Sequence, residues 1–322
     1  MSNYTYINLE AVTVNPASRV LTLIQLIYGI PSMLLMIVFF FALGCMKTYS
    51  NSFYRLVQFD LTVNFFCHLN TWPAIRMESH PESVILLKWL DNTFPGILTS
   101  TKNGVTLFFH LQFCSAAALS LHRISALFCP ITYQSKWRVG YIPFCIACIV
   151  YSYIPGLNYF GKATRVSFIN GTLTKVFDRE ELDSSLNQLA VFSLVYFVLL
   201  ITLGITTYIV LRKAFKGFNQ PDQRVSKKLT KISLTYCFLY TGILAWSNVG
   251  SLNTHFQLFP DFFTKFSTVA LVFASDLMTL ALPYILLVFD TNVRRKLFAR
   301  ENTVNDNASN TSNSKSLFTQ RT

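Results

Sequence analysis

Charge is what this 322-residue sequence has least of: 13% of its residues are Asp, Glu, Lys or Arg, while 52% are hydrophobic. Two soluble domains of that combined length would need far more polar surface, so the composition does not suit a water-facing fold. A mean hydropathy of +0.40 makes lipid the better solvent. Acids are scarcer than bases, 15 against 27, which leaves a net charge of +12. Catalytic signatures are missing too. No Ser/His/Asp set, HExxH or phosphate loop occurs at usable spacing, and His68, His80, His110, His122 and His255 are scattered. No enzyme activity, metal or cofactor is therefore expected. Covalent retinal would need a lysine in the middle of the last apolar segment, and Lys265 lies only at its edge. All seven cysteines fall in or at the ends of apolar segments, where they suit buried thiols rather than an extracellular bridge. Cys145 and Cys148 lack the second ligand pair that a zinc site needs. A cleaved signal peptide is not expected, because the opening residues are polar and the first apolar run is too long for one.

What the sequence has is a series of apolar runs. A hydrocarbon core of roughly 30 Å needs about 20 mainly apolar residues per helix. Seven segments qualify: about Leu21–Cys45, Phe53–Trp72, Gly104–Cys129, Tyr141–Phe160, Leu189–Leu211, Ile232–Leu252 and Phe266–Phe289. The expected fold is an all-α membrane protein, a seven-transmembrane helix bundle over residues 1–298. Pro31, Pro143 and Pro155 are expected to bend their helices. Asp290–Phe298 reads as a short amphipathic helix after the seventh span. The Asn/Ser/Thr-rich residues 299–322 lack apolar periodicity and are expected to form a disordered cytosolic tail.

Lysine and arginine set the orientation, since they gather on the cytosolic side of short loops. With the N-terminus outside, 18 of the 27 fall inside and the outer nine are matched by nine acids. The basic excess is thus topological, and nucleic acid is not needed as a partner; anionic membrane lipids are. Sequons at Asn3 and Asn170 would then face outward as glycosylation sites, while those at Asn307 and Asn310 would stay bare. A ligand-gated channel or a transporter is the rival reading. Seven spans do not divide into two equal repeats, and no matching pair of broken helices appears.

Polar residues inside the spans mark where chemistry or tight packing sits. Asp60, Asn64 and His68 recur every fourth residue on one helix face. At about 1.5 Å per residue, Asp276 lies roughly 20 Å from the inner end of its helix, nearer the depth of His68 and Asn64 than that of Asp60. These four are candidates for an intramembrane polar network. Phe108, Phe109, His110 and Gln112 in the outer half of span three, with Trp246 and Asn248 in span six, combine apolar rings with a few polar groups. Such a set suits a small-molecule pocket.

Arg123, at the inner end of span three, is followed by Pro130 and Tyr133 at the spacing found in rhodopsin-like G-protein-coupled receptors, and the chain resembles them there. His122 stands in place of the usual acid, and the Asn-Pro-x-x-Tyr of span seven is replaced by Leu282-Pro283-Tyr284. With Lys227, Lys228, Lys231, Arg294 and Arg295, these residues form a candidate transducer face. Other motifs add a closer likeness. Tyr28-Gly29-Ile30-Pro31-Ser32, Asn51-Ser52-Phe53-Tyr54-Arg55-Leu56, Asn70-Thr71-Trp72 and Phe289-Asp290-Thr291-Asn292-Val293-Arg294 occur in order across nearly the whole chain. Together they resemble the nematode serpentine receptor class gamma chemoreceptors. That resemblance implies a chemosensory G-protein-coupled receptor in the plasma membrane or cilium of a sensory neuron, with a small-molecule chemical ligand and a heterotrimeric G protein as partners.

Overall fold

The computed structural model describes residues 4–12, 16–46, 49–129, 132–157, 164–214, 221–256, 260–290 and Arg294. Its long helices are α1 (Pro16–Cys45), α2 (Ser52–Thr71), α4 (Ile97–Phe128), α5 (Tyr133–Leu157), α6 (Arg179–Ala214), α7 (Pro221–Phe256) and α8 (Asp261–Phe289). A short helix, α3 (Val84–Thr93), precedes α4, and three strands are present: β1 (Tyr4–Asn8), β2 (Thr164–Ile169) and β3 (Thr172–Asp178). Most helices run past the apolar segments that mark them. α6, for example, begins at Arg179 and α5 at Tyr133, because amphipathic turns outside the apolar run continue the backbone hydrogen bonding. Pro31, Pro143, Pro155 and Pro283 all lie inside helices.

Among the described residues, five segments are long and apolar enough to cross a membrane: Ser18–Cys45, Ile97–Phe128, Ser135–Pro155, Arg179–Lys213 and Ala270–Phe289. α2 and α7 are less apolar for a physical reason. α2 packs against α1, α4, α5 and α8, and α7 against α4, α6 and α8, so much of each surface meets protein. Asn51 opens α2 as its N-cap, its side-chain oxygen accepting from the Tyr54 amide at 3.2 Å. α4 is central, touching α2, α5, α6 and α7. Its run Ser115-Ala116-Ala117-Ala118 is buried, and small side chains there let neighbouring backbones approach. Phe39, Phe53, Phe113, Tyr236, Tyr240 and Leu282 fill the core around it. Large apolar residues also cover the outside, including Ile27, Phe41, Val191, Phe238 and Val288. Apolar side chains both inside and out are what a lipid-facing bundle requires.

One end of the bundle carries a small antiparallel sheet of order β1-β3-β2, an addition to the all-helical expectation. Tyr4 lies opposite Asp178, and Ile169 opposite Thr172. Asn170 and Gly171 make the two-residue turn with φ of 52° and 77°. Asn-Gly is the pair that tolerates left-handed backbone, and this turn twists with the strands it joins. Beneath the sheet, Leu9, Val84, Leu87, Leu98, Val166 and Leu173 form a second core. Ion pairs close it: Lys88 Nζ lies 2.5 Å from Glu10 Oε1, Lys102 and Lys175 share Glu78, and Arg19 meets Glu82. The Leu173 amide also donates to Glu10 at 3.1 Å. The hydrogen bond from Lys88, then that from Leu173, hold the Glu10 carboxyl below the ordinary carboxylate range.

Candidate functional site

Asp60 and Asp276, buried within the helix bundle, occupy two separate clusters. Asp60 on α2 is fully buried and accepts from Ser115 Oγ on α4, from Asn64 Nδ2 at 2.8 Å and from Tyr236 Oη on α7 at 2.8 Å. Gln112 Nε2 donates to Asn64 Oδ1 at 2.7 Å and to Thr279 Oγ1 on α8 at 3.1 Å. Tyr236 Oη lies 2.7 Å from Tyr240 Oη. The carboxylate thereby joins α2, α4 and α7 directly and α8 through Asn64 and Gln112, and each of its contacts is a hydrogen bond that the apolar surroundings make stronger than it would be in water.

Asp276 on α8 forms the second cluster. It accepts from Tyr28 on α1 and pairs with Arg76, which sits on the π-helical turn Trp72–Arg76 that follows α2. His68 Nδ1 lies 3.7 Å away, outside hydrogen-bond range. The guanidinium of Arg76 also lies 4.9 Å from the centre of the Trp72 ring. Gly29 permits this convergence, since a Cβ there would stand 3.1 Å from His68 Nε2. The similar depth of His68 and Asp276 brings them near each other, whereas Asn64 joins Asp60 because four residues along a helix outweigh a match in depth between helices. Tyr28 and Arg76 escape a reading by composition: Arg76 counts there as an outer-loop cation. The available signal is neutrality, because a lone Asp inside an apolar span calls for a cation within reach.

The six candidate pocket residues do not gather in one place. His110 Nδ1 bonds Tyr196 Oη at 2.7 Å and lies edge-on to Phe192, with Phe109 beside the same tyrosine. Phe108 packs toward Val63, Leu111 and Cys148, and Gln112 belongs to the Asp60 cluster. Trp246 and Asn248 stand on α7, and Asn248 Nδ2 is buried without a hydrogen-bond partner among the described residues.

At the end opposite the sheet, Arg123 is 3% exposed and does not reach out to solvent. Its guanidinium carbon sits 3.9 Å above the Phe53 ring, and Nη2 donates to His122 Nδ1 at 2.9 Å. Arginine has no acceptor, so His122 must carry its proton on Nε2 and donate it to Ser52 Oγ, 2.8 Å away. His122 also packs against Trp137, whose indole donates to Ser125 at 2.6 Å. The nearby acid is Asp290, just past α8 and fully buried. It accepts from Tyr54 Oη and Lys228 Nζ, each at 2.5 Å. A carboxylate at a helix C-terminus faces the negative end of the helix dipole; the cation from α7 and the hydroxyl from α2 offset that. Lys228 is therefore tied inward, while Lys227, Lys231 and Arg294 are exposed. Tyr133 opens α5 and stacks edge-on with His122.

Asn170 is exposed at the tip of the β2–β3 hairpin. Asn3, Pro130, Arg295, most of the expected amphipathic helix and the tail lie outside the described residues. The cysteines are all free thiols.

Comparison with known proteins covers almost the whole bundle. A family model described as Srg family chemoreceptor matches residues 22–297. The chain is 35% identical over 285 residues to serpentine receptor class gamma-47 of Caenorhabditis elegans, covering 87% of this chain and 91% of that protein. It is 26% identical over 275 residues to serpentine receptor class gamma-53 of the same organism, covering 85% and 90%.

Proposed function

Because the chain belongs to the Srg family of chemoreceptors, and is thus a helical membrane receptor of chemosensory type, we propose that it binds a small odorant or pheromone-like molecule from outside and signals to a cytosolic heterotrimeric G protein. In this reading all seven long helices span the membrane. The sheet-capped end faces outward, with Asn3 and Asn170 open to glycosylation, and the Arg123 end faces the cytosol. The receptor resides in the plasma membrane of a chemosensory neuron, at its cilium.

The observation that carries the proposal is the closed end opposite the sheet. Arg123 is held against Phe53 and His122, and Asp290 ties α2, α7 and α8 through Tyr54 and Lys228. Exposed Lys227, Lys231 and Arg294 stand within four residues of Lys228 or Asp290, and with Pro130, Tyr133 and Arg295 they make up the proposed transducer face. A switch needs two packings of similar energy and a ligand that prefers one. Here the acid that would lock the arginine is replaced by an imidazole, and the ionic contact has moved to α7 and α8. The Asp60 cluster couples α2, α4, α7 and α8, and the Asp276 cluster joins α1 and α8 to the turn after α2; together they supply a polar network whose partners can exchange.

The test is a reporter cell carrying G proteins, challenged with a panel of odorants and pheromone-like molecules, for the intact chain and for Arg123→Ala. A ligand-evoked response that is lost in Arg123→Ala is expected. A response unchanged by that substitution removes Arg123 from the switch. Ligand-evoked current in cells without G proteins would favour a channel instead, and glycan on Asn307 or Asn310 would overturn the orientation.

A further inference from the structure

A cleft of about 410 Å³ opens on the flank of the bundle between α1 and α8. Phe273 and Leu277 are among its walls, and Tyr28, Ser32, Asp276 and Tyr284 supply its polar side. Leu277 and Tyr284 at its rim are 55% and 45% exposed, on a face that is otherwise apolar. The groove between α1 and α2, walled by Met36, Phe40, Leu61 and Phe65, has no ionisable residue in its lining. The α1–α8 cleft is different in having a buried carboxylate at its back.

The protons of this cleft can be assigned. Tyr28 Oη gives its proton to Asp276, and Ser32 Oγ gives its own to the Tyr28 carbonyl at 2.6 Å. Tyr284 Oη, 2.8 Å from Ser32 Oγ, must then be the donor of that pair. A hydroxyl has a single proton, so what remains is lone pairs on Asp276, Tyr28 and Tyr284. A ligand head must donate. Among the described lining residues an anion finds no free donor, since Arg76 with its unpartnered Nη1 is not part of the lining, and a cation meets a carboxylate already neutralised by Arg76. A neutral hydroxyl satisfies both conditions, and the apolar walls and lateral opening require the rest of the molecule to be hydrocarbon.

We propose that this cleft binds a neutral, lipid-soluble alcohol that reaches it through the bilayer and donates its hydroxyl proton to Asp276. The proposal rests on the reading of the chain as a small-molecule receptor and names the chemical class of ligand; it places the site on the flank of α1 and α8 rather than between span three and span six.

The test uses the full chain in lipid nanodiscs and a photoactivatable long-chain fatty alcohol, with the fatty acid and fatty amine of the same chain as comparison probes. Peptides around Tyr28–Ser32 and Asp276–Tyr284 are expected to carry the alcohol label, with the acid and amine labelling them about tenfold less. Leu277→Trp, which fills the cleft from an exposed position, is expected to lower that labelling about tenfold, and Phe238→Trp on the far flank to leave it unchanged. Should Leu277→Trp not reach the membrane, Leu277→Phe, which narrows the cleft less from the same exposed position, is expected to lower it about threefold. Label spread evenly over the lipid-facing helices, label that persists in these variants, or equal labelling by the acid or amine overturns the proposal. Labelling needs no G protein, so a chain that labels as expected and never signals would count against the receptor reading alone.

Discussion

Single residues in this bundle carry constraints that their neighbours in sequence do not reveal. Gly29 is one, because any side chain there meets His68. Gly29→Val is expected to cost about 1–3 kcal/mol through overpacking, measured as a lower unfolding temperature in detergent; Gly140→Val, where a Cβ meets nothing within 4 Å, serves as the control. Arg123 is another. Buried and bonded to a neutral donor–acceptor chain through His122 to Ser52, it depends on the imidazole tautomer rather than on a carboxylate. His122→Phe is expected to leave Arg123 without its acceptor and to change basal signalling in the reporter cell, while His122→Asp is expected to lower it by adding the acid that the position lacks. The presence of His122 beside Arg123 is visible in the sequence. The identity of the other contacts is not, since Phe53 and Ser52 lie seventy residues away and reach Arg123 only through the packing of α2 on α4.

At the scale of elements, the contact of Lys228 with Asp290 ties α7 to the end of α8, and Tyr54 brings in α2. Removing one partner of a buried pair leaves the other charge uncompensated, which costs about 3–5 kcal/mol. Lys228→Met is therefore expected to destabilise the chain by roughly that amount and to raise signalling without ligand; Lys228→Met with Asp290→Asn is expected to recover most of the stability. Thermal unfolding and the reporter assay read the two effects separately. The helices themselves are legible because an apolar run of membrane length admits few other structures. Their ends are not, since Arg179–Ser185 or Tyr133–Gly140 carry no apolar run and take helical form from the turn that follows them. The sheet was hidden for a different cause: β1 finds its partner only through a pairing of distant segments, and a short strand has no period long enough to read. Asn170-Gly171 was its one local signal.

On the scale of the whole molecule, the two ends are built by different physics. The end with Arg123 and Asp290 is closed by charges inside the bundle, whereas the other is closed by a sheet and by ion pairs that range from the exposed Arg19–Glu82 to the largely buried Lys102–Glu78. The pH dependence follows from Glu10. Its folded carboxyl titrates below the unfolded one, so its contribution is present above the unfolded value and disappears as pH falls through the folded one. Acid is expected to speed amide hydrogen exchange at Leu173 beyond the intrinsic change, and Glu10→Gln to abolish that excess, read by mass spectrometry of the β3 peptide. The split of polar residues into an Asp60 cluster and an Asp276 cluster also belongs to this scale, because it depends on how α2 and α8 face one another and not on either helix alone.

β1 pairs with β3 across 174 positions, Tyr4 against Asp178. During synthesis, then, β1 waits without its sheet partner until α1, α2, α4 and α5 have been made. β1 is written long before β3 and is placed only after it. A bulky fusion ahead of Tyr4 would meet the growing hairpin at that moment, so the position of a tag, neutral in most chains, becomes part of whether this one matures.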